Sequence, residues 1–333
     1  MSAVQFNKVA IVGAGAIGGW IGVHLARAGA QVSVLARGET LAAVQKNGLQ
    51  LHQGGERHSV DVKASGDATA LGVQDLVVVS VKAPAMASVA QQLGPLLGPQ
   101  TVVLTAMNGV PWWFLQGFGG AWAGRSLASV DPDGAIARAI PAAHIVGGVV
   151  HASCSVDAPG VIRHHFGDGL IVGEPSSQAT PRVQALHALL QKAGFNATLS
   201  PQIQKDIWFK LWGNMTVNPI SAITGATSDR LLDDDLVRGF MSNVMLEARA
   251  IGEHIGIPIA QEPEDRHAVT RKLGAFKTSM LQDVQAGKPV ELDALVSAVR
   301  ELGQMTGVQT PFTDALLGLS RLHARVLGLY PPQ

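Results

Sequence analysis

Residues 8–28, KVAIVGAGAIGGWIGVHLARA, place three glycines between a short apolar run and a helical pattern. Gly13, Gly15 and Gly18 have GxGxxG spacing, directly after a predicted strand and directly before a predicted helix. Gly13 permits a tight turn, Gly15 lets the backbone approach a pyrophosphate, and Gly18 lets the helix pack closely on the strand. The helix N-terminus then faces the phosphates. The segment predicts a dinucleotide cradle, and a glycine-rich turn without a ligand is the alternative.

The rest of the first half of the chain extends this pattern. Apolar β-branched runs recur at 8–13, 31–36, 75–82 and 101–108, and helical patterns lie between them at 17–29 and 83–97. Such runs are typical of strands buried on both faces of a parallel sheet, with the helices as right-handed crossovers. The pattern predicts an α/β fold with a doubly wound, Rossmann-type sheet.

After about residue 145 the texture changes twice. Three short apolar runs, a helical pattern and a further short run come first, at 144–152, 160–166, 169–174, 182–195 and 197–200. The three apolar runs lie too close together in sequence for crossover helices between them. This spacing predicts antiparallel strands that extend the sheet. Beyond Pro201 the periodicity is almost only helical, at 202–218, 229–256, 263–282, 290–306 and 311–327. We therefore expect a Rossmann-type domain over 1–200 and an all-helical domain over 201–333, with the boundary near Pro201.

Composition excludes several classes of function. Twenty-five basic residues balance 25 acidic ones, so no global field gathers nucleic acid or an anionic membrane. Cys154 is the only cysteine, so an intrachain disulfide is impossible, and the start of the chain lacks the pattern of a signal peptide. No run approaches the length of a membrane span. We expect a cytoplasmic protein, without nucleic acid, membrane or metal as partner, and regard a homodimer as compatible with an apolar helical domain.

The end of the second predicted strand bears on the choice between NAD and NADP. Arg37 occupies that region, in VLARGET, and Glu39 follows shortly after it. A guanidinium can pair with a 2′-phosphate through two hydrogen bonds, whereas an acidic residue would bond the ribose hydroxyl. Arg37 predicts NADPH, and reading by Glu39 is the alternative.

Polar residues also close the next two predicted strands. Lys82 follows one of them and Asn108 follows the other. The carboxyl ends of parallel strands lie on the edge of the sheet where ligands bind. Both residues could therefore contact the cofactor, and Asn108 the substrate as well. They could equally be polar residues at ordinary strand exits.

The stretch KLWGNMTVNP, at 210–219, aligns an amine with two amides. Lys210, Asn214 and Asn218 are four residues apart, so on a helix they turn by only about 40° per step and share a face about 12 Å long. The surrounding residues are large and apolar, and polar groups beside buried surface need partners. Pro219 predicts a kink or stop at this point. The partner could be another helix or a polar substrate, and spacing does not decide between them.

In these motifs the chain resembles the ketopantoate reductase (2-dehydropantoate 2-reductase) family. The resemblance covers nearly the whole chain and is carried by VGAGAIGG, VKA, MNGV and GVIRH in the first half. In the second half it is carried by IWFKLWGNMTVNPISAITG at 207–225 and KTSMLQDVQAGKPVELD at 277–293. It implies two domains enclosing a cleft and NADPH-dependent reduction of 2-dehydropantoate to (R)-pantoate in pantothenate biosynthesis, without a metal.

The resemblance also implies roles for individual residues. Lys210 matches the catalytic proton donor, and Glu291 matches an acidic residue at the cofactor ribose and the catalytic lysine. The matching substrate contacts are Asn214, Asn218, Ser279 and Asn108. The matching cofactor contacts are Gly13, Ala14, Gly15, Ala16, Ile17, Gly18, Arg37, Lys82, Asn108, Ala152 and Glu291.

Two features depart from the family pattern. Ser228 stands where a further substrate-contacting asparagine is common, and Trp112 and Trp113 follow Asn108 by four and five residues. Either could reshape the pocket, although we favour a core or interface role for the tryptophans. The same plan would also suit reduction of another 2-oxo or 3-hydroxy acid. A non-enzymatic NADPH sensor is a third hypothesis.

Histidines are the competing proton donors. His151, His164 and His165 lie in the strand-rich region, and with 11 histidines in the chain we interpret these three as strand or surface residues. His151 and Cys154 resemble half of a metal site, but no second ligand pair is evident. Lys210 remains the preferred donor.

Overall fold

The computed structural model describes residues 4–332, which form ten strands and twelve α-helices. The strands are β1 Lys8–Val12, β2 Gln31–Leu35, β3 Leu49–Gln53, β4 Glu56–Val60, β5 Lys63–Ser65, β6 Gln74–Val79, β7 Leu97–Thr105, β8 Ile145–Ala158, β9 Val161–Gly173 and β10 Asn196–Leu199. The helices are α1 Ala16–Arg27, α2 Gly38–Asn47, α3 Met86–Ala90, α4 Ala135–Ala139, α5 Pro181–Lys192, α6 Ile203–Thr224, α7 Ser228–Asp233, α8 Asp235–His254, α9 Pro263–Arg271, α10 Ser279–Gln285, α11 Ala298–Thr306 and α12 Pro311–Val326.

Contacts divide the chain into two compact units. The first holds the residues through Met107, Trp113–Arg125 and Gly134–Asp206, and the second holds Asn108–Trp112, Ser126–Asp133 and the chain from Ile207 onward. In the second unit, the carboxylate of Glu301 accepts hydrogen bonds from the backbone amides of Ala128 and Ser129, at 2.7 and 2.8 Å. These bonds explain why a segment distant in sequence groups with the helices.

All ten strands of the first unit join one sheet in the order β4-β3-β9-β8-β7-β6-β1-β2-β5, with β10 beside β9. The run from β8 to β5 is parallel throughout and has the doubly wound strand order. Strand β9 is antiparallel to β8. The predicted Rossmann-type sheet with an antiparallel extension is therefore confirmed.

Helix α1 is enclosed by the sheet rather than lying on one face of it. Trp20, Ile21 and Val23 are fully buried. A Cβ added at Gly19 would overlap the side chain of Ile162 in β9, and one added at Gly22 would lie 3.1 Å from side chains of both β1 and β3. The extra strands thus cover the side of α1 that faces away from β1, which fixes the helix that opens at the glycine cradle.

Two predictions for the first unit need correction, and one hairpin was not predicted. The predicted helix over 83–97 is reduced to the five-residue α3 between two short 3-10 turns. The predicted strands at 160–166 and 169–174 are one strand, β9, which continues through Gly167 because β8 pairs with it at a bulge. The β3–β4 hairpin was missed, although Gly54 and Gly55, both with positive φ, are the dipeptide that favours a two-residue hairpin turn.

The second unit is helical, as predicted, with different element boundaries. Helix α6 continues through Pro219 to Thr224, so the kink or stop predicted there is wrong as a stop. The long pattern at 229–256 splits into α7 and α8 at Asp234, whose side chain caps α8 at the amide of Val237. The pattern at 263–282 likewise splits into α9 and α10, and 290–306 begins with a π-helical segment, Asp293–Ser297.

No helix within residues 4–332 has the length and apolar character needed to cross a membrane.

Candidate active site

The three glycines of the cradle occupy different environments in the first unit. Gly13 has φ of +91°, and a Cβ there would lie 2.7 Å from the side chain of Val81. A Cβ on Gly18 would overlap the carbonyl oxygen of Gly13 and the hydroxyl of Ser80, which hydrogen-bond each other at 2.8 Å. Gly15 has no neighbour within 4 Å of its added Cβ. The space next to Gly18 is therefore filled by protein atoms, whereas the space next to Gly15 is free for a ligand.

The N-terminus of α1 fits a dinucleotide pyrophosphate. Gly15 is the N-cap residue, no side chain caps the helix there, and the first turn contains no acidic residue. The first amides of a helix have no partner within the helix and carry its positive dipole end, so they favour an anion. The backbone of Ala14, Ala16 and Ile17 flanks the open space at Gly15. Together they form a surface suited to phosphate groups.

Other predicted cofactor residues of the first unit lie at carboxyl ends of strands. Arg37 directly precedes α2, just beyond β2, and both it and Glu39 are exposed. Lys82 is exposed three residues beyond β6 and follows Val81, which contacts Gly13. Lys82 therefore lies beside the cradle. Because Arg37 and Glu39 are both exposed beyond β2, the fold does not decide which of them would contact the adenine ribose of the cofactor.

Ala152 lies further along the same edge. Strand β8 pairs in parallel with β7 up to Gly147 and then continues beyond the end of β7. The register of β8 against β9 shifts between His151 and Ser153, so Ala152 occupies a bulge. A bulge exposes backbone that the ladder would otherwise use.

The second unit brings the predicted catalytic residues together. Lys210 and Asn214 are partly exposed on α6, and Asn218, one turn further on, is buried. The Nζ atom of Lys210 donates a hydrogen bond of 2.9 Å to Oδ1 of Asn108. No residue within 4–332 hydrogen-bonds the side-chain amide of Asn214 or Asn218. The amide ladder between helices that spacing left open does not form.

The turn that carries Asn108 is fixed by the π-helical segment that closely follows Glu291. The amide of Val110 donates a hydrogen bond of 2.8 Å to the carbonyl of Ala294, in the π-helical segment. Gly109 has φ of +80°, and a Cβ there would lie 2.6 Å from the same carbonyl oxygen. Only glycine lets the turn approach this closely. Glu291 is itself buried, just before that segment.

The electrostatic environment of Lys210 is unusual for a lysine. Desolvation lowers its pKa from 10.5 to about 8, the negative charge of Glu291 acts to raise that pKa, and the positive charge of Arg266 acts to lower it. Part of the side-chain surface remains exposed, but the amine lies among dense protein, so desolvation dominates. An ammonium with a pKa near neutrality can both stabilise negative charge and release its proton.

The remaining predicted substrate residues of the second unit have different positions. Ser279 is the first residue of α10 and is exposed. Ser228 is fully buried, and its hydroxyl donates a hydrogen bond of 2.8 Å to the carbonyl of Gly274. Ser228 thus links the start of α7 to the loop before α10. Trp112 is buried as well, as we favoured.

The histidines of the strand-rich region belong to strands, as interpreted. His151 lies in β8 and is exposed. The ring of His164 stacks on Trp20 with centroids 5.7 Å apart, and His165 hydrogen-bonds Ser155 at 2.9 Å. These partners give the rings structural roles within the sheet.

Cys154 pairs with His164 across β8 and β9, and burial raises the pKa of its thiol to about 12. A thiol with a raised pKa is a poor nucleophile and a poor metal ligand. Within residues 4–332 no group of three or more His, Cys, Asp or Glu side chains is arranged to hold a metal ion.

Sequence reasoning missed Arg266. This arginine lies in α9, within a stretch that shows only helical periodicity, yet its charge acts on Lys210. Because 56 residues separate the two in sequence, no local spacing could have signalled their proximity.

The cradle, the sheet and the lysine-bearing helical unit define the class: the protein is an NAD(P)-dependent oxidoreductase. Family models support this over most of the chain. "Ketopantoate reductase PanE/ApbA" matches residues 9–177, and "Ketopantoate reductase PanE/ApbA C terminal" matches residues 202–324. The chain belongs to the ketopantoate reductase family.

Individual proteins agree with this assignment. The chain is 45% identical, over 97% of its length and 99% of the relative, to 2-dehydropantoate 2-reductase of Mesorhizobium japonicum. It is 56% identical to a crystal structure from Ralstonia solanacearum MolK2 solved as a candidate ketopantoate reductase, with a TM-score of 0.95 over 98% of this chain and 100% of that one.

A more distant structure shares the fold. D-mandelate dehydrogenase, solved with NADH and anilino(oxo)acetate, is 21% identical with a TM-score of 0.83, over 97% of this chain and 99% of that one. The fold therefore occurs in proteins named for different substrates.

Proposed function

We propose that the protein reduces the keto group of a 2-oxo acid with NADPH and that the substrate is 2-dehydropantoate, which becomes (R)-pantoate. The observation that carries the proposal is the environment of Lys210. Its amine is held by Asn108 at 2.9 Å, and its pKa is lowered to about 8 while Glu291 favours its charged form. The name of the 45% identical relative supports this choice of substrate.

Lys210 acts as the proton donor in this proposal. As hydride reaches the keto carbon, negative charge develops on the keto oxygen, and the ammonium of Lys210 stabilises that charge and transfers its proton to the oxygen. The lowered pKa reduces the cost of releasing the proton at neutral pH. Glu291 keeps Lys210 protonated before the reaction, and Asn108 orients the amine.

The cofactor residues of the proposal are those of the cradle. Bound NADPH supplies the hydride. The N-terminus of α1, next to Gly15, would hold its pyrophosphate, and Arg37 would pair with its 2′-phosphate. Lys82 and Ala152, on the carboxyl edge of the sheet, and Glu291 complete the proposed contacts.

The substrate contacts of the proposal are Asn214, Asn218, Ser279 and Asn108. The support for the first two is that no residue within 4–332 uses their side-chain amides, although Asn218 is buried. A polar substrate would satisfy them. Ser279 is exposed at the start of α10 and offers a hydroxyl.

The test is oxidation of NADPH, followed by its absorbance, against a panel of 2-oxo acids that includes 2-dehydropantoate. We expect kcat/KM for 2-dehydropantoate to exceed that of every other acid in the panel by at least about 100-fold, a difference of roughly 3 kcal/mol in transition-state binding. Comparable values for several acids would replace the substrate but keep the reaction. Binding of NADPH without turnover of any acid would favour the sensor hypothesis.

A homodimer also remains a proposal. Helix α12 exposes Leu319, Leu322 and Val326 at 62, 62 and 78% of their surface, spaced three and four residues apart along one face. An apolar stripe of this kind favours association. Light scattering of the purified chain and of Leu322→Glu tests it, since the substitution should yield monomer.

A further inference from the structure

Arg266 lies against the catalytic helix of the second unit. Its guanidinium carbon is 5.9 Å from the ring centre of Phe209. A Cβ added at Gly213 would lie 2.6 Å from Nε, 2.9 Å from Nη2 and 3.0 Å from Cζ of this arginine. Phe209 and Gly213 are one helical turn apart, so the guanidinium spans that turn of α6 in space left by the glycine.

This position is adjacent to the row of predicted catalytic residues. Phe209 and Gly213 each precede a member of that row by one residue, namely Lys210 and Asn214. Residues at successive i, i+4 positions form parallel ridges on a helix, so the guanidinium flanks the Lys–Asn ridge. The positive charge of Arg266 also acts to lower the pKa of Lys210, which agrees with this placement.

Arg266 differs from its neighbours in having no counter-ion. Four arginines of the helical unit form ion pairs with nearby carboxylates: Arg238, Arg249, Arg271 and Arg300. No ion pair or side-chain hydrogen bond engages Arg266 within residues 4–332, and its buried Nε has no partner. An unsatisfied guanidinium beside a second cation is costly, unless an anion joins the complex.

We propose that Arg266 binds the carboxylate of the 2-oxo acid while Lys210 meets its keto oxygen. This inference rests on the proposed function and extends it with a residue for the anionic end of the substrate. The two groups of a 2-oxo acid are on adjacent carbons, and the guanidinium of Arg266 packs against the ridge of α6 next to the one that carries Lys210. The planar guanidinium fork matches a carboxylate through two parallel hydrogen bonds. The ring of Phe209 packs against the guanidinium, and the absence of a side chain at Gly213 leaves room for it.

The test compares Arg266→Met with Arg271→Met, a matched control on the same helix whose arginine already pairs with Asp233. Each variant is assayed with the 2-oxo acid and with its uncharged methyl ester. We expect Arg266→Met to raise KM for the acid by about 30-fold or more, while KM for the ester changes by less than about 3-fold. Arg266→Lys should recover part of the loss, because charge returns without the fork.

A second variant displaces the guanidinium without removing its charge. In Gly213→Ala the new methyl group would lie 2.6 Å from Nε, so the flexible arginine side chain must move aside. We expect KM for the acid to rise here too, again with little change for the ester. Equal changes in KM for acid and ester in both variants, or unchanged KM for the acid, would overturn the inference.

Failure of the proposed function is distinguishable from failure of this inference. If the unmodified enzyme reduces no 2-oxo acid, calorimetric titration with oxamate, a non-reducible isostere of such acids, decides the matter without turnover. Binding that is lost in Arg266→Met and kept in Arg271→Met supports the inference. Equal binding by both variants, or no binding by the unmodified chain, contradicts it.

Discussion

The glycine cradle offers backbone groups to a ligand, whereas the Lys210 cluster offers side chains. The cradle uses backbone from six consecutive residues, and its shape depends on missing side chains at Gly13, Gly15 and Gly18. The Lys210 cluster uses side chains from segments far apart in sequence, around Asn108, α6 and Glu291, and its chemistry depends on burial and charge. A local motif can thus specify where an anion binds, whereas a shifted pKa needs the whole helical unit.

The largest expected effect separates the two regions by function. Lys210→Ala should lower turnover by about 1,000-fold, because the developing charge loses its proton donor, while Kd for NADPH stays within about 3-fold. Stopped-flow turnover and fluorescence titration of NADPH measure the two quantities. Lys205→Ala, an exposed lysine on the same helix, is the control and should leave both unchanged. Unchanged turnover in Lys210→Ala would remove this lysine from the reaction.

The next effect divides the cradle itself. Gly15→Ala has open space around its new methyl, so we expect unchanged thermal stability but about 100-fold weaker NADPH binding, because the methyl blocks the approach of the pyrophosphate. Gly18→Ala overlaps the backbone of Gly13 and should cost about 1–3 kcal/mol of stability. Thermal denaturation and NADPH titration of both variants test this. Equal loss of stability in the two variants would show that the cradle is not open above Gly15.

A smaller effect concerns cofactor choice. Arg37→Ala should weaken NADPH binding by about 10- to 50-fold and NADH binding by less than about 3-fold, since only the former carries the 2′-phosphate. Glu39→Ala serves as the matched variant and should change neither. Equal losses of affinity for NADPH and NADH in Arg37→Ala would show that Arg37 does not bind the 2′-phosphate.

The difference between the regions also explains what the sequence could predict. The cradle was predictable because three glycines at fixed spacing report a backbone requirement directly. The row of Lys210, Asn214 and Asn218 was predictable as a shared helix face, but not its lack of helix partners. Arg266 was out of reach, because only tertiary packing places it over Phe209.

The fold shows the same limit. Continuous apolar runs predict the parallel strands correctly. The sequence around Gly167 instead predicts two strands where the structure has one, β9, because a bulge in the pairing with β8 accommodates Gly167. Helix α6 passes through Pro219 because buried packing on both sides outweighs the loss of one backbone hydrogen bond. Local rules failed where long-range contacts overrode them.

The pH dependence of kcat tests the central claim most directly. A donor lysine with pKa of about 8 must be protonated to act, so kcat should fall as pH rises through about 8. Lys210→Arg keeps the charge at every accessible pH and should lose this descending limb. In Glu291→Gln the limb should move to lower pH, because Glu291 favours the charged form. A limb at the same pH in all three proteins would contradict the assignment of Lys210 as the proton donor.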